Sequence, residues 1–181
     1  MDILKLKIFL KDFSIKKLEK YFVLILSALT FCFSQDLLSG FYKTHVGKSG
    51  RQSIVEFFQK DGKYYAYGFA NVDGTPPAKD IHNKNPNLRE RYDNVTIFVY
   101  GLEGDDGTYQ NGKVYNYDTG EIYYARITLE GDKLTLRASV DSAGVFGETK
   151  IWSRLNDKEL KPYLSKKPPL QEVLKSLKDW E

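Results

Sequence analysis

The chain has 181 residues, 41% of them hydrophobic and 14% aromatic, with 13 Tyr and 11 Phe. Such a composition excludes an intrinsically disordered polymer, which lacks the apolar surface to offset its chain entropy, and the length is that of one domain with an appendage. The net charge of +3 is carried by residues 1–34, where six Lys oppose three acids; the remainder holds 21 bases and 21 acids. A neutral domain has no global field to gather nucleic acid, and no basic stripe replaces one.

Residues 1–20 are rich in Lys, residues 21–33 are apolar and uncharged, and Ser34-Gln35-Asp36 turns polar. This is the order of a secretory signal, with Cys32 and Ser34 at the −3 and −1 positions for a cut before Gln35. A membrane-spanning helix needs about 20 apolar residues, a length the run reaches only by taking in Lys16, Lys17 and Lys20. Acylation of Cys32 would put bulky Phe31 where such sites take a small residue. A cleaved signal over 1–34 ranks first, an uncleaved anchor second and a lipoprotein third. Export to the periplasm or beyond, in a Gram-negative bacterium, follows from the first reading, with no stable membrane insertion after cleavage. Cys32 is the only cysteine, so residues 35–181 carry no disulfide, thiol chemistry or cysteine metal site.

From residue 40 onward, strand-like runs follow one another at 40–46, 52–60, 63–72, 94–101, 112–117, 121–130, 132–140 and 146–154. Asp61-Gly62, Asn111-Gly112, Thr119-Gly120 and Gly131-Asp132 punctuate them with the positive φ that tight hairpins need. In 121–130, Tyr123, Ala125, Ile127 and Leu129 share one face; in 132–140, Leu134, Leu136, Ala138 and Val140 do. One dry and one wetter side per strand predicts an all-β antiparallel meander, sandwich or barrel of eight strands. The 73–93 connection is long enough to be a lid or a contact surface, or else a solvated excursion. After Lys167-Pro168-Pro169, Leu170, Val173, Leu174 and Leu177 recur at helical spacing and predict a short amphipathic helix covering the domain. The chain thus divides into a signal (1–34), a β domain (35–156) and a C-terminal extension with a helix (157–181).

Catalytic signals are weak. His45 and His82 lie far apart, so no zinc set forms. Asp105-Asp106 reads as an exposed turn, and none of the common nucleophile, phosphate-loop or metalloprotease motifs is present. No metal, cofactor or enzymatic activity is expected, although a hydrolase needs only two carboxylates placed by the fold. The aromatics have two readings. They pack a solid core, or Tyr67, Phe69, Phe98, Tyr115 and Tyr123 line a ligand cavity.

Asn111 to Tyr123, Gly144 to Arg154, the set Asp80, Asn85, Pro86 and Arg89, and the opening Gly40-Phe41-Tyr42 occur in the order and spacing of a bacterial secreted family known as domain of unknown function 2147. The chain resembles that family over about residues 38–156, with Tyr42 where the family usually has Trp. The resemblance implies a lipocalin-like (calycin) barrel, eight-stranded and up-and-down, here with the added C-terminal amphipathic helix. Gly40, Tyr42, Trp152 and Arg154 would then close the barrel, Arg154 lying on the Tyr42 ring. The loop 80–89, with Asn85 and Arg89, would gate the mouth; Arg126 or Arg137 would meet a carboxylate if turned inward, although the alternation favours the outward position for both. The expected function is binding of a small hydrophobic or amphipathic molecule, such as a fatty acid or another lipid-like compound. A filled-core module that contacts an envelope or host surface is the alternative, and a hydrolase the third.

Overall fold

Alternating apolar and polar residues along consecutive hairpins curl the chain into a closed antiparallel barrel. The structure, a computed structural model, describes residues 37–47 and 50–180; the segment read as an export signal lies outside the described residues. The strands are β1 (Gly40–Lys43), β2 (Ser53–Lys60), β3 (Lys63–Asn71), β4 (Ile97–Asp105), β5 (Thr108–Asn116), β6 (Glu121–Glu130), β7 (Lys133–Ser139) and β8 (Gly147–Arg154). Each pairs with the next, and β8 returns to β1 through Tyr42↔Arg154 and Lys43↔Ser153. The barrel is therefore all-β and antiparallel, as the sequence pattern predicts, and up-and-down, as the family resemblance implies.

One turn signal is misread by sequence. Asn111-Gly112 makes no hairpin; β4 and β5 run on to a turn at Asp106-Gly107, both with positive φ. Asn111 sits instead at a bulge inside β5, where the pairing steps from Tyr109↔Ile127 to Gly112↔Ala125. The positive φ that Asn favours serves a bulge as well as a turn. The 73–93 connection is also not structureless. It holds short 3-10 turns at Pro86–Leu88 and Asp93–Val95, a Lys79↔Tyr92 bridge and a buried Asp80.

Along β1 to β4 the barrel wall is apolar on both sides. Inside lie Tyr42, Phe57, Tyr64, Leu102, Tyr109, Leu134 and Trp152; outside, Ile54, Tyr67, Phe69 and Ile97 form a second cluster with Leu160 and Val173. The covering residues come from a C-terminal strap. It comprises α1 (Asp157–Leu160), α2 (Leu170–Leu174) and 3-10 turns at Lys161–Lys166 and Lys175–Asp179. The expected helix forms directly after Pro168-Pro169, as α2 and the 3-10 turn that continues it to Asp179; the prolines separate it from the helical turns before it. Ser176 ties it down, its hydroxyl accepting the Ile97 N–H at 3.0 Å and donating to the Val173 carbonyl at 2.8 Å.

One end of the barrel is closed by Arg154. Its guanidinium lies over the Tyr42 ring at 4.7 Å and donates to the carbonyls of Ser39 (3.0 Å) and Leu37 and to the Tyr42 hydroxyl. Gly40 gives it room, since a Cβ there, at φ +140°, would overlap the guanidinium. Gly40→Ala is therefore expected to cost about 2–3 kcal/mol through backbone strain and a displaced cap. Urea unfolding should show a lower midpoint at unchanged slope.

Candidate functional site

Residue size along the barrel axis decides where space remains. At the Arg154 end large rings fill the interior: Tyr42 meets Phe57 edge-on at 5.4 Å, and Tyr64 meets Tyr109 at 5.0 Å. Towards the other end the inward positions are small or aliphatic, namely Val55, Gly68, Val114, Leu136 and Ala138, and a cavity of about 870 Å³ opens among them. Trp152 separates the two halves, its ring 6.1 Å from Phe57 below and 6.2 Å from Phe98 beside the cavity. Phe98 is brought there by a bulge, where the pairing passes from Ala66↔Val99 to Tyr67↔Ile97. Bulges re-aim side chains in this way.

The mouth is polar. Thr44, His45, Arg51, Ser53, Asn71, Asp93, Asn94, Asn116, Glu148 and Lys150 surround it, contributed by the loops that follow β1, β3, β5 and β7 and the strand ends beside them. Burial, then Lys150, lowers the His45 pKa, with Glu148 opposing. Burial raises the Asp93 carboxyl, although its Oδ1 accepts the Ala78 N–H at 3.1 Å. An apolar sleeve with a polar rim can bury the hydrophobic part of a guest and leave its polar end at the surface. Among the described residues no group of three His, Cys, Asp or Glu side chains is placed to hold a metal ion.

Of the aromatics proposed from sequence, Phe98 and Tyr123 line the cavity and belong to the inner cluster. Phe69 and Tyr115 border it, but their rings pack outside, Phe69 against Phe41 and Tyr67, and Tyr115 against Tyr117 and Trp180. Tyr67 is not a cavity residue. It lies under the strap, its hydroxyl donating to Glu56, which also pairs with Lys167 at 2.8 Å. The face of β3 that carries Tyr65, Tyr67 and Phe69 is the outer one; Tyr64, Ala66 and Gly68 point inward.

Asn85 and Arg89 do not line the cavity, which corrects the expected gate. Asn85 caps the first 3-10 turn, and Arg89 Nε donates to the Asn83 carbonyl at 2.8 Å. Their loop folds against the β5–β6 turn, so closely that a Cβ on Gly120 would overlap the His82 carbonyl. The cation that organises it is Arg91. Asp80 accepts from the Tyr115 hydroxyl (2.7 Å), Asn83 Nδ2 (2.7 Å) and Arg91 Nε (3.0 Å), while Arg91 also reaches Asp179 at 2.9 Å and lies 5.1 Å from the Trp180 ring. Arg126 and Arg137 are tied down by the β7–β8 loop, donating to the Ser142 carbonyl (2.7 Å) and to those of Gly144 (2.5 Å) and Val145 (2.8 Å). From sequence Trp152 has only a closing role, and no local pattern marks Val55, Arg51 or Asp93 as lining. Leu136 was already visible in the alternation of β7.

A barrel of eight up-and-down strands, closed at one end and hollow at the other, is a lipocalin-like architecture. The family model described as "Uncharacterized protein conserved in bacteria (DUF2147)" matches residues 40–154, and the chain belongs to that family. It is similar to a solved structure described as "Protein HP1028 from the human pathogen Helicobacter pylori belongs to the lipocalin family". The two are 39% identical, the match covers 77% of this chain and 97% of the other, and the TM-score is 0.74. No functionally curated protein matches the chain.

Three phenols report on the wall itself. Burial raises the pKa values of Tyr67, Tyr115 and Tyr117, reinforced for the first two by hydrogen bonds to Glu56 and Asp80. The fold favours the protonated phenol, so the native chain holds more protons than the unfolded one above the ordinary value near 10. Stability from these groups is present below pH 10 and lost as pH rises past it. The thermal midpoint is expected to fall between pH 9 and pH 11, and to fall less in Tyr67→Phe.

Proposed function

We propose that the protein is an exported, non-enzymatic carrier that holds a small hydrophobic or amphipathic molecule in the open half of its barrel, with residues 1–34 as the export signal. The observation that carries this reading is the cavity of about 870 Å³ above Trp152, within the range of small-molecule sites. A guest would bind by burying apolar surface against Val55, Phe98, Leu136 and Trp152, at about 25 cal/mol per Å². The described lipocalin relative supports the same class of function at the level of fold. A second reading, an interaction module, is favoured by one observation. Val140, Val145 and Phe146 at the rim are 67%, 64% and 71% exposed, and clustered exposed hydrophobics mark contact surfaces.

Gly68 offers a direct test of the carrier reading. It faces the cavity, has no positive φ, and a Cβ there would meet nothing nearer than the Ile54 carbonyl at 3.9 Å. Gly68→Leu should therefore direct its side chain into the cavity with no clash at Cβ. The neutral fluorescent probe N-phenyl-1-naphthylamine is expected to bind the native protein and to bind this variant at least about tenfold more weakly, with the unfolding midpoint maintained. Equal probe binding by both proteins would place the probe elsewhere and remove the support for a carrier.

A further inference from the structure

Most charges around the mouth have partners. Lys150 pairs with Glu148 at 2.6 Å. Asp93 accepts the Ala78 N–H, and Asp73, at the start of the neighbouring loop, accepts from the Thr75 amide (3.0 Å) and hydroxyl (2.8 Å). Arg51 differs. It is half-buried on the cavity lining, and its carbonyl accepts the Gly47 N–H at 2.8 Å. Among the described residues its guanidinium makes no hydrogen bond or ion pair. It stands near enough to Asp73 and Asp93 to favour the charged form of each, yet bonds to neither. Lys166 and Asp118, the other lining charges whose side chains have no partner among the described residues, are exposed. Arg126 and Arg137 are held in the β7–β8 loop.

A guanidinium is always charged, offers five donors in one plane and accepts nothing, so it matches the paired oxygens of a carboxylate or phosphate. At the edge of an apolar sleeve it favours a guest with an oxyanion at one end. From Ser53, where β2 begins beside Arg51, to Phe57 the strand rises roughly 13 Å at about 3.3 Å per residue, which leaves depth for a hydrocarbon chain beneath the head. We propose that Arg51 holds the anionic head of a single-chain amphiphile, a long-chain carboxylate or phosphate monoester, while its chain runs down to Trp152. This rests on the carrier reading and adds the class of ligand and the residue that selects it.

The test is calorimetric titration of protein purified from cells expressing the full chain, using decanoate, decyl phosphate and decanol. One or both anions should bind about tenfold more tightly than the alcohol. Arg51→Gln should abolish that preference while changing decanol affinity less than twofold, and Arg51→Lys should restore part of it. Tighter binding of decanoate assigns the site to free fatty acids, and tighter binding of decyl phosphate to phosphate-bearing lipids. The proposal is overturned if all three ligands bind the native protein alike, or if Arg51→Gln weakens all three equally; either result leaves the carrier standing. Binding of none overturns both.

Discussion

The architecture depends on where the packing of the barrel interior stops, and the Trp152 side chain sets that level. Below it Tyr42, Phe57, Tyr64 and Tyr109 are buried and meet edge to face, Tyr42 with Phe57 and Tyr64 with Tyr109, so large rings fill the lower half. Above it the facing strands contribute Gly68 and Ala138, which cannot span the ring. Trp152 pairs across to Leu134, and two residues later the same strand delivers Arg154 to Tyr42. One strand therefore closes the ring, caps its end and floors the cavity.

The outer surface explains why the mouth can stay open. The β3–β4 connection runs past the mouth, but Asp80 and Arg91 fold its middle against the outside wall and join it to Asp179 of the strap. Asp80 has no exposed side-chain surface. A buried ion pair of this kind adds little net stability because desolvation offsets the attraction, but leaving either partner alone is costly. Its effect here is to hold one arrangement of the loop, with Asp93 and Asn94 at the rim and residues 80–89 to the side. The strap also turns the outer face of β3 into a second apolar layer, so this part of the wall is buried on both sides.

That double burial limits what the sequence reveals. Along β6 and β7 one face is wet, and the alternation of Ala125, Ile127, Leu134 and Leu136 identifies the interior directly. Along β3 both faces are dry. Tyr67 and Phe69 look like lining, while Tyr64, Ala66 and Gly68 are the residues that point inward; size alone favours the wrong face. Asn111-Gly112 misleads because positive φ suits a bulge as well as a turn, and only the pairing of β5 with its neighbours decides between them. Arg89 and Arg91 both follow Asn85-Pro86 closely, and the fold of the loop, invisible in the spacing, selects Arg91 as the partner of Asp80. Arg51 carries no local pattern at all, and its place at the mouth is a product of barrel closure.

The central claim is that a guest reaches Trp152 from the open end. The chain has two tryptophans, so Trp180→Phe leaves Trp152 as the sole indole. Titrating that variant with a long-chain alcohol brominated near its methyl end should quench the remaining emission saturably, in step with binding. Stoichiometric binding of the alcohol with the indole emission unchanged would contradict the account, because the guest would then lie somewhere other than above the ring.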